Sequence, residues 1–571
     1  MAPNRSPPQP HRLPRSPPPG DGDASEAGGT IGSVSLWFAP EDFSAEERTL
    51  LSPYFTNLDQ PVFCLVNLPE VTKGALFARY SRSPKTLRRL FLDEFAEHAE
   101  RPPGEGDVGG ARAEDLYRRV FLEYGDDSVA QLGGVHLACE QSSQLLAKIL
   151  EWGRLMAYLE QSTRYVPYDD RPGGRWRYTT PPEVVEAGMG ERYEGTLDAA
   201  FATYSRWLEP LQEMLGRLHP QDPSDSDFVY RSTIRAKACD ALRGLLPAAT
   251  RSNVGIYGTG QAYEQLLLRM RAHPLDEVRA YADLMLVELR KVIPAFLTRV
   301  DVEERGVAWS RYLERTREDI ERVGREVLAE KLEPRPPVRP EVVLADFDPD
   351  GEIKTVAAAL YSVTDAPDDR LLDIARAMSV EERLRVLRTY AGDRTNRRHR
   401  PGRAYERSGY RFDILCDYGA FRDLQRHRML TIEWQRLSPL HGFERPPEVD
   451  EAGAGGDWDR VMADSAALFE ELRARGLHEV AQYAVSMAYR IRFVMQMNAR
   501  EAMHVIELRT TPQGHPVYRR VCQEMHRLIA EEAGHRALAE AMRFADHSSV
   551  ELERLEAERR TEARRRAADR A

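Results

Sequence analysis

Two stretches set far apart in this chain read as copies of one segment, and that repeat constrains the fold more than any local pattern does. Glu151 to Tyr165 is EWGRLMAYLEQSTRY, and Arg426 to Ser438 is RHRMLTIEWQRLS. Aligned, Trp152-Gly153-Arg154 stand opposite Arg426-His427-Arg428, while Glu160, Ser162 and Arg164 stand opposite Trp434, Arg436 and Ser438. Other segments recur in the same order: Ala357 to Ser362 (AAALYS) parallels Phe77 to Ser81 (FARYS), and Arg490 to Arg509 parallels Val254 to Arg269. Between the copies lies Lys331 to Pro340, KLEPRPPVRP, whose Xaa-Pro steps favour an extended linker. A repeat of this length predicts two comparable halves, each a structural unit.

Within the halves the periodicity is mostly helical. Ala113 to Tyr124 is helical in pattern, and Gly125 with Asp126, Asp127 and Ser128 reads as a stop followed by caps for a new helix. Leu145, Leu146, Ile149, Leu150, Met156 and Leu159 recur mostly three and four apart, which predicts one amphipathic helix running into the Glu160 to Tyr165 stretch. Helices are also expected over 190–218, 227–246 and 261–273, and over 275–300 with a kink at Pro294. Pro61 to Val66 is strand-like, and Gly104 to Gly110 reads as an exposed loop. The expected organisation is a disordered Pro-rich tail (1–32), a first domain (33–330), a linker (331–341), a second domain (342–547) and a charged tail (548–571).

Composition narrows the function classes. A net charge of −11 repels nucleic acid at long range, although 80 Lys and Arg residues leave room for local anion sites. Five scattered cysteines without CxxC spacing argue against a disulfide framework or structural zinc. No apolar run approaches the ~18 residues needed to span a bilayer. A soluble cytoplasmic protein with no metal, no membrane and no nucleic-acid partner is expected.

The two copies complement each other against one known pattern. In the flavin-dependent thymidylate synthases (ThyX-like) the signature is Arg-His-Arg, seven residues, then a Ser set inside Glu-x-Ser-x-Arg-Tyr. Glu160, Ser162, Arg164 and Tyr165 match its second part, and Arg426-His427-Arg428 its first. Downstream, Arg243 to Pro247 (RGLLP) matches the family's Arg-x-x-Leu-Pro, and Asn498-Ala499-Arg500 with Leu508-Arg509 matches its Asn-Ala-Arg and Leu-Arg elements. Arg269 resembles the last of these in the first half, one residue short of the family spacing. Gly258 to Gly260 replaces Asn-Ala-Arg there, and Gln482 replaces the Arg before Leu-Pro in the second half. Glu406 lies twenty residues before Arg426, the spacing of a flavin-contacting Glu in the family, whereas the same offset in the first half lands on Leu132. The chain resembles a tandem duplicate of this family, partly degenerate in each half.

The residue chemistry divides along the same line. Arg164 and Arg243 are fork-shaped donors suited to a phosphate, Ser162 and Thr163 with their backbone N–H groups add neutral donors, and Glu160 can orient an Arg or a sugar hydroxyl. Glu406, Arg426, Arg428, Asn498, Arg500 and Arg509, with His427, could grip a pyrophosphate and the polar edge of a flavin. The bland readings are a basic run on a solvated face and a helix-end ion pair. GIYGTG (255–260) lacks the Lys-Ser/Thr of a phosphate loop and is set aside.

The resemblance implies a helix-rich α+β fold, with two tandem ThyX-like domains packed as a pseudo-dimer. It implies FAD as cofactor, NADPH and methylenetetrahydrofolate as co-substrates, and methyl transfer to C5 of dUMP or a related nucleotide. Ser162, Arg269 and Arg509 form its catalytic set. Either of the two arginines would face the pyrimidine, where a fixed cation makes C5 nucleophilic by stabilising charge on the uracil oxygens. Further association into a dimer of fused pairs is implied too. The departures at Trp152-Gly153, Arg436, Gln482 and Gly258 to Gly260 leave two alternatives: a flavin- or nucleotide-binding homologue without catalysis, or C5 modification of another uridine nucleotide.

Overall fold

The computed structural model describes residues 41–59, 63–80, 85–96, 131, 133–223, 225–329, 331, 339–549, 552, 555, 559, 562 and 563. The N-terminal tail, the loop at 104–110, the helix expected over 113–124 with its following caps, Leu132, most of the linker and most of the C-terminal tail lie outside these residues. The chain divides into two compact units, the smaller made of residues 1–68 and 83–105. In this unit the helices Ala45–Leu51 and Leu87–Glu94 meet through Arg89, which pairs with Glu41 and Glu47. Both halves of the repeat from Gly134 onward belong to the larger unit.

In the first half β1 (Gly134–Ser143), α1 (Gln144–Leu150) and β2 (Met156–Glu160) come first. They are followed by α2 (Gly190–Leu218), α3 (Asp227–Leu242), β3 (Arg251–Thr259), α4 (Gly260–Arg271), α5 (Asp276–Arg290) and α6 (Ala308–Leu328). The second half supplies β4 (Val342–Phe347), β5 (Gly409–Asp417), α7 (Tyr418–Leu424), β6 (Thr431–Trp434), α8 (Gly455–Ala474), β7 (Arg490–Asn498), α9 (Ala499–Arg509) and α10 (Pro516–Glu531). The strands form two antiparallel sheets, ordered β1-β3-β2 and β4-β5-β7-β6, so the fold is helix-rich α+β. Along β3, β5 and β7 buried residues alternate with exposed or half-buried ones, as in sheets with one face on the core.

The halves correspond element by element. Ser143 caps α1 as Asp417 caps α7, and Thr259 caps α4 as Asn498 caps α9. A further repeat, PPEVxEAGxG, appears at Pro181 to Gly190 and Pro446 to Gly455, and in each copy a Gly (Gly188, φ 71°; Gly453, φ 79°) takes the left-handed turn before α2 or α8. The halves then pair through extended segments around a pseudo-two-fold axis. Ala248 N donates to Val485 O (2.8 Å) while Met487 N donates to Leu246 O (2.9 Å). Ala249 N donates to Tyr483 O (3.0 Å) while Ala488 N donates to Gly244 O (3.0 Å). Each bond has its mate with the partners exchanged, the pattern of a two-fold dimer interface, here inside one chain.

Two expectations change. The helix expected to run from Leu145 into the signature stops at Leu150, and Met156–Glu160 forms β2 against β3. The three-and-four spacing holds only over α1. Beyond it, period two takes over, burying Met156 and Glu160 and leaving Leu159 78% exposed. The helix expected over 275–300 ends at Arg290, and Pro294 opens a separate 3-10 turn instead of kinking one long helix. Among the described residues no helix is long and apolar enough to cross a membrane, and all five cysteines are free.

Candidate functional site

Because β2 alternates faces, Glu160 at its end points into the interface between the halves, where it is fully buried. There Arg422 Nη2 donates to its Oε1 (2.7 Å), and Lys148 Nζ (3.2 Å) and Arg426 Nη2 both donate to its Oε2. Burial pushes the Glu160 carboxyl up, but Arg422, Lys148 and Arg426 outweigh it and hold the group well below the usual carboxylate range. Thr163 accepts from Arg422 Nη1 (3.3 Å). The Glu of one signature fragment thus orients the first Arg of the other fragment, from the opposite half.

Beside this hub lies an arginine cluster that also draws on both halves. Ser162 Oγ accepts from Arg164 N (3.2 Å), and the Arg164 guanidinium meets Asp240 (2.9 Å) and donates to Tyr518 Oη (3.2 Å). Arg243 lies 3.3 Å from Asp240 and 3.9 Å from Asp423. Arg509 stands 3.6 Å from Asp423, and its Nε donates to His427 Nε2 (2.9 Å). His515 is 3.7 Å from Asp240. Arg164 and Arg243 are only 8% and 4% exposed, yet Arg164 Nε, Arg243 Nη2 and Arg426 Nε are buried without a hydrogen-bond partner. Burial raises Asp240 and Asp423, but the surrounding guanidinium groups outweigh it and keep both carboxyls below their ordinary range. Burial keeps His427 and His515 neutral, pushing His515 down to about 3.

The structure therefore brings Glu160, Ser162, Thr163, Arg164 and Arg243 of the first half together with Arg426, His427 and Arg509 of the second. Lys148, Asp240, Arg422, Asp423, His515 and Tyr518 also take part and were missed from sequence. Asp240 precedes Arg243 by three residues and pairs with it, and that spacing was a usable signal, whereas Asp423 pairs with Arg243 and Arg509 from distant segments. Arg269 is placed elsewhere. Counted from the caps Thr259 and Asn498, the counterpart of Arg509 is Met270, and Arg269 lies over the Trp152 ring (5.5 Å) in a separate cavity.

The remaining cofactor candidates cluster at the end of the second sheet. Arg500 Nη1 is 3.5 Å from Glu406, and Arg500 Nε donates to Pro401 O (2.9 Å). Asn498 Oδ1 accepts from Glu501 N (2.9 Å). Glu406 and Asn498 line a cleft of about 560 Å³, while Arg428 is exposed at the 440 Å³ cavity that holds Arg269. His427, Glu501 and His504 gather their ligating atoms within 4.8 Å, but Arg509 and Arg400 hydrogen-bond the two imidazoles and surround them with positive charge, a poor setting for a cation.

The pseudo-symmetric position tells a different story. Where one interface pairs Arg426 with Glu160, the mate has Trp152 and Trp434, packed edge to face at 5.4 Å. Ser438 stands in place of Arg164, and Gln482 in place of Arg243 accepts from Leu437 N (3.0 Å). Arg436, opposite Ser162, is tied to Glu479 and Glu321.

Fold and site together define a fused pair of homologous modules with an arginine-rich site built between them. The sequence model of the family described as "Thymidylate synthase complementing protein" matches residues 75–295 and 343–534, once in each half, and the chain belongs to that family as a tandem duplicate. A UPF0159 protein of Chlamydia muridarum is 38% identical over 91% of this chain and 99% of its own length, and one of Thermoplasma acidophilum is 31% identical over 86% and 98%. A flavin-dependent thymidylate synthase of Mycobacterium avium is 26% identical over 33% of this chain and 69% of its own length. Among solved structures, the UMP/dUMP methylase PolB of Streptomyces cacaoi, bound with 5-Br dUMP, is 18% identical and covers 36% of this chain and 96% of its own, with a TM-score of 0.28.

Proposed function

We propose that the chain is a flavin-dependent methylase of a pyrimidine nucleotide, transferring a one-carbon unit from methylenetetrahydrofolate to C5 of dUMP, with one composite site per chain. The observation that carries this reading is complementary retention in space. The nucleotide-type groups kept in the first half (Arg164, Arg243) and the cofactor-type groups kept in the second (Arg426, His427, Arg509) converge on one cluster. The orphaned donors on Arg164, Arg243 and Arg426 suit a phosphate, which would supply the acceptors they lack.

In this reading Arg164 and Arg243 hold the phosphate and Ser162 adds a hydroxyl donor. Arg509, whose orientation Asp423 and His427 set, faces the pyrimidine. A guanidinium there stabilises charge developing on the uracil oxygens and so directs electron density to C5. Arg269 is not needed for this role. FAD fits the residues around the open cleft: Glu406 and Asn498 line it, with Arg500 3.5 Å from Glu406, and the adjoining cavity lined by His427 and Arg428 shares Arg154, Leu430 and Thr431 with it. When bound, the flavin supplies reducing hydride that originates from NADPH. Glu160 acts on Arg426, fixing its direction.

A second reading keeps the chemistry but changes the acceptor. Arg164 and Arg243 would hold the phosphate and Arg509 would face the uracil of any uridine monophosphate alike, so these groups do not by themselves select dUMP. The test is a tritium-release assay with 5-³H-dUMP on the FAD-loaded protein, beside the same assay on Ser162→Ala and Arg428→Ala. Turnover by the wild type and its loss in both variants is expected. Release from wild type and both variants alike would contradict the composite site, and release only from another 5-³H-uridine nucleotide would favour the second reading.

A further inference from the structure

Helix α6 (Ala308–Leu328) lies outside both family modules, since the matched segments stop at residue 295 and resume at residue 343. Of its 21 residues none is buried, whereas α8, 20 residues long, buries seven, Trp458 and Phe469 among them. One flank of α6 touches the body of the protein. Ser310 Oγ donates to Leu268 O (3.1 Å), Arg317 donates to Ala272 O, and Glu321 accepts from Arg436 Nη2 (2.7 Å). The adjoining face carries Trp309, Tyr312, Thr316, Ile320, Val323 and Val327, spaced three and four residues apart, so they form one mostly apolar stripe. Trp309, Tyr312 and Ile320 are 52%, 60% and 65% exposed. A helix in a protein draws most of its stability from packing such a face, and here the described chain leaves the face open to solvent.

We propose that α6 docks on α6 of a second copy of this chain, the two helices packing antiparallel, stripe against stripe, about a two-fold axis between Ile320 and Glu321. Charge decides the occupant. The helix carries five arginines and five carboxylates, so it has no net charge to hold it on an anionic membrane surface. On the flank away from the body, Arg315, Asp319, Arg322 and Glu326 alternate in sign. A two-fold interface sets such a flank against itself in reverse order. With the axis at residues 320 and 321, Arg315 meets the partner's Glu326 and Asp319 meets the partner's Arg322, each pair occurring twice. Within one chain Arg322 lies 2.8 Å from Asp319 and 3.7 Å from Glu326, whereas Arg315 makes no ion pair among the described residues. The second copy thus supplies a counter-charge that the chain itself does not. The same register lets Ile320 enter between the partner's Ile320 and Val323, as knobs enter holes.

The test is the mass of the full-length chain by sedimentation equilibrium over a range of concentrations. The wild type should approach twice the 65.0 kDa of one chain. Ile320→Glu should sediment as a monomer with an unchanged circular dichroism spectrum, because that side chain is exposed in the single chain and its loss leaves the fold intact. Glu326→Arg should raise the dissociation constant about tenfold, since the two-fold axis spoils two ion pairs at once. Adding Arg315→Glu to Glu326→Arg should restore the wild-type constant. The two positions stand about 16 Å apart along the helix, too far to pair within one chain, so rescue reports contact between chains. A wild type that stays monomeric at every concentration would overturn the proposal, and its flotation with phosphatidylserine vesicles would assign the stripe to a membrane surface instead. A dimer that survives Ile320→Glu would place the interface elsewhere and overturn it too. Failure of Arg315→Glu to rescue Glu326→Arg would overturn the antiparallel register.

Discussion

The two interfaces related by the pseudo-two-fold axis began as equivalents and now hold different chemistry. In one, Glu160 at the end of β2 gathers Lys148, Arg422 and Arg426; in the other, Trp434 at the same register of β6 packs on Trp152. The backbone pairing that joins the halves is retained on both sides of the axis, bond for bond. Main-chain hydrogen bonds depend little on side-chain identity, so the scaffold tolerated divergence that the side-chain sites did not. Homo-oligomers cannot make this separation, because every substitution appears at both symmetric sites. A fused pair can lose an arginine once.

The largest effect should come from removing the hub. Glu160→Gln leaves Arg422 buried without a counter-charge and Lys148 with Glu151 alone, and should cost about 3–5 kcal/mol, read as a drop in denaturation midpoint. Trp434→Leu at the matching position should cost far less, about 1 kcal/mol, since Trp434 is half-buried and bears no charge network. Equal losses would mean that the ion-pair hub is not what distinguishes the two interfaces.

A smaller effect should appear in the pH dependence of stability. His515 is held neutral, with its folded value pushed down to about 3 by burial and by Arg243 and Arg164 against the pull of Asp240. An imidazole of lowered folded pKa binds fewer protons when folded, so its contribution is fully present above ~6.5 and is lost as pH falls from there toward 3. His427 acts in the same direction. Asp240 and Asp423, lowered by their guanidinium neighbours, stabilise the fold above ~4 and lose that contribution at lower pH. Thermal melts should thus fall from about pH 6.5 downward, at up to about 1.4 kcal/mol per pH unit for each histidine. His515→Gln should flatten the slope between pH 6.5 and 4. An unchanged slope would remove His515 from the account.

The smallest expected effect is the most pointed. Trp152→Arg with Trp434→Glu rebuilds the Arg–Glu pair in the degenerate interface, yet Ser438, Gln482 and Met270 still stand where Arg164, Arg243 and Arg509 are needed. The double variant should gain no second equivalent of bound dUMP in calorimetry. A gain would show that the aromatic pair alone closed the site.

Much of this was legible in the residues, unevenly. The duplication, the split signature and the division of Arg164 and Arg243 from Arg426 to Arg428 are properties of order and spacing. The assignment between Arg269 and Arg509 was not legible. One residue of drift along a helix turns a side chain by about 100°, and only counting from the caps Thr259 and Asn498 showed that Met270 faces where Arg509 does. The strand at Met156–Glu160 was hidden for a related reason. Its apolar residues continue a helical spacing by coincidence, and pairing with β3, a non-local interaction, decided the outcome.

What the sequence determined by itself was the tandem architecture, the family and the list of charged groups that each half has kept, because repeats and motif spacing are carried along the chain. What only the tertiary structure decided was which of those groups meet. Glu160 joins Arg426 and Arg164 joins Asp240 and Tyr518 because the pseudo-two-fold pairing of residues 244–249 with 483–488 brings the halves face to face. No local pattern encodes that geometry, since the contacts that set it span hundreds of positions in the chain.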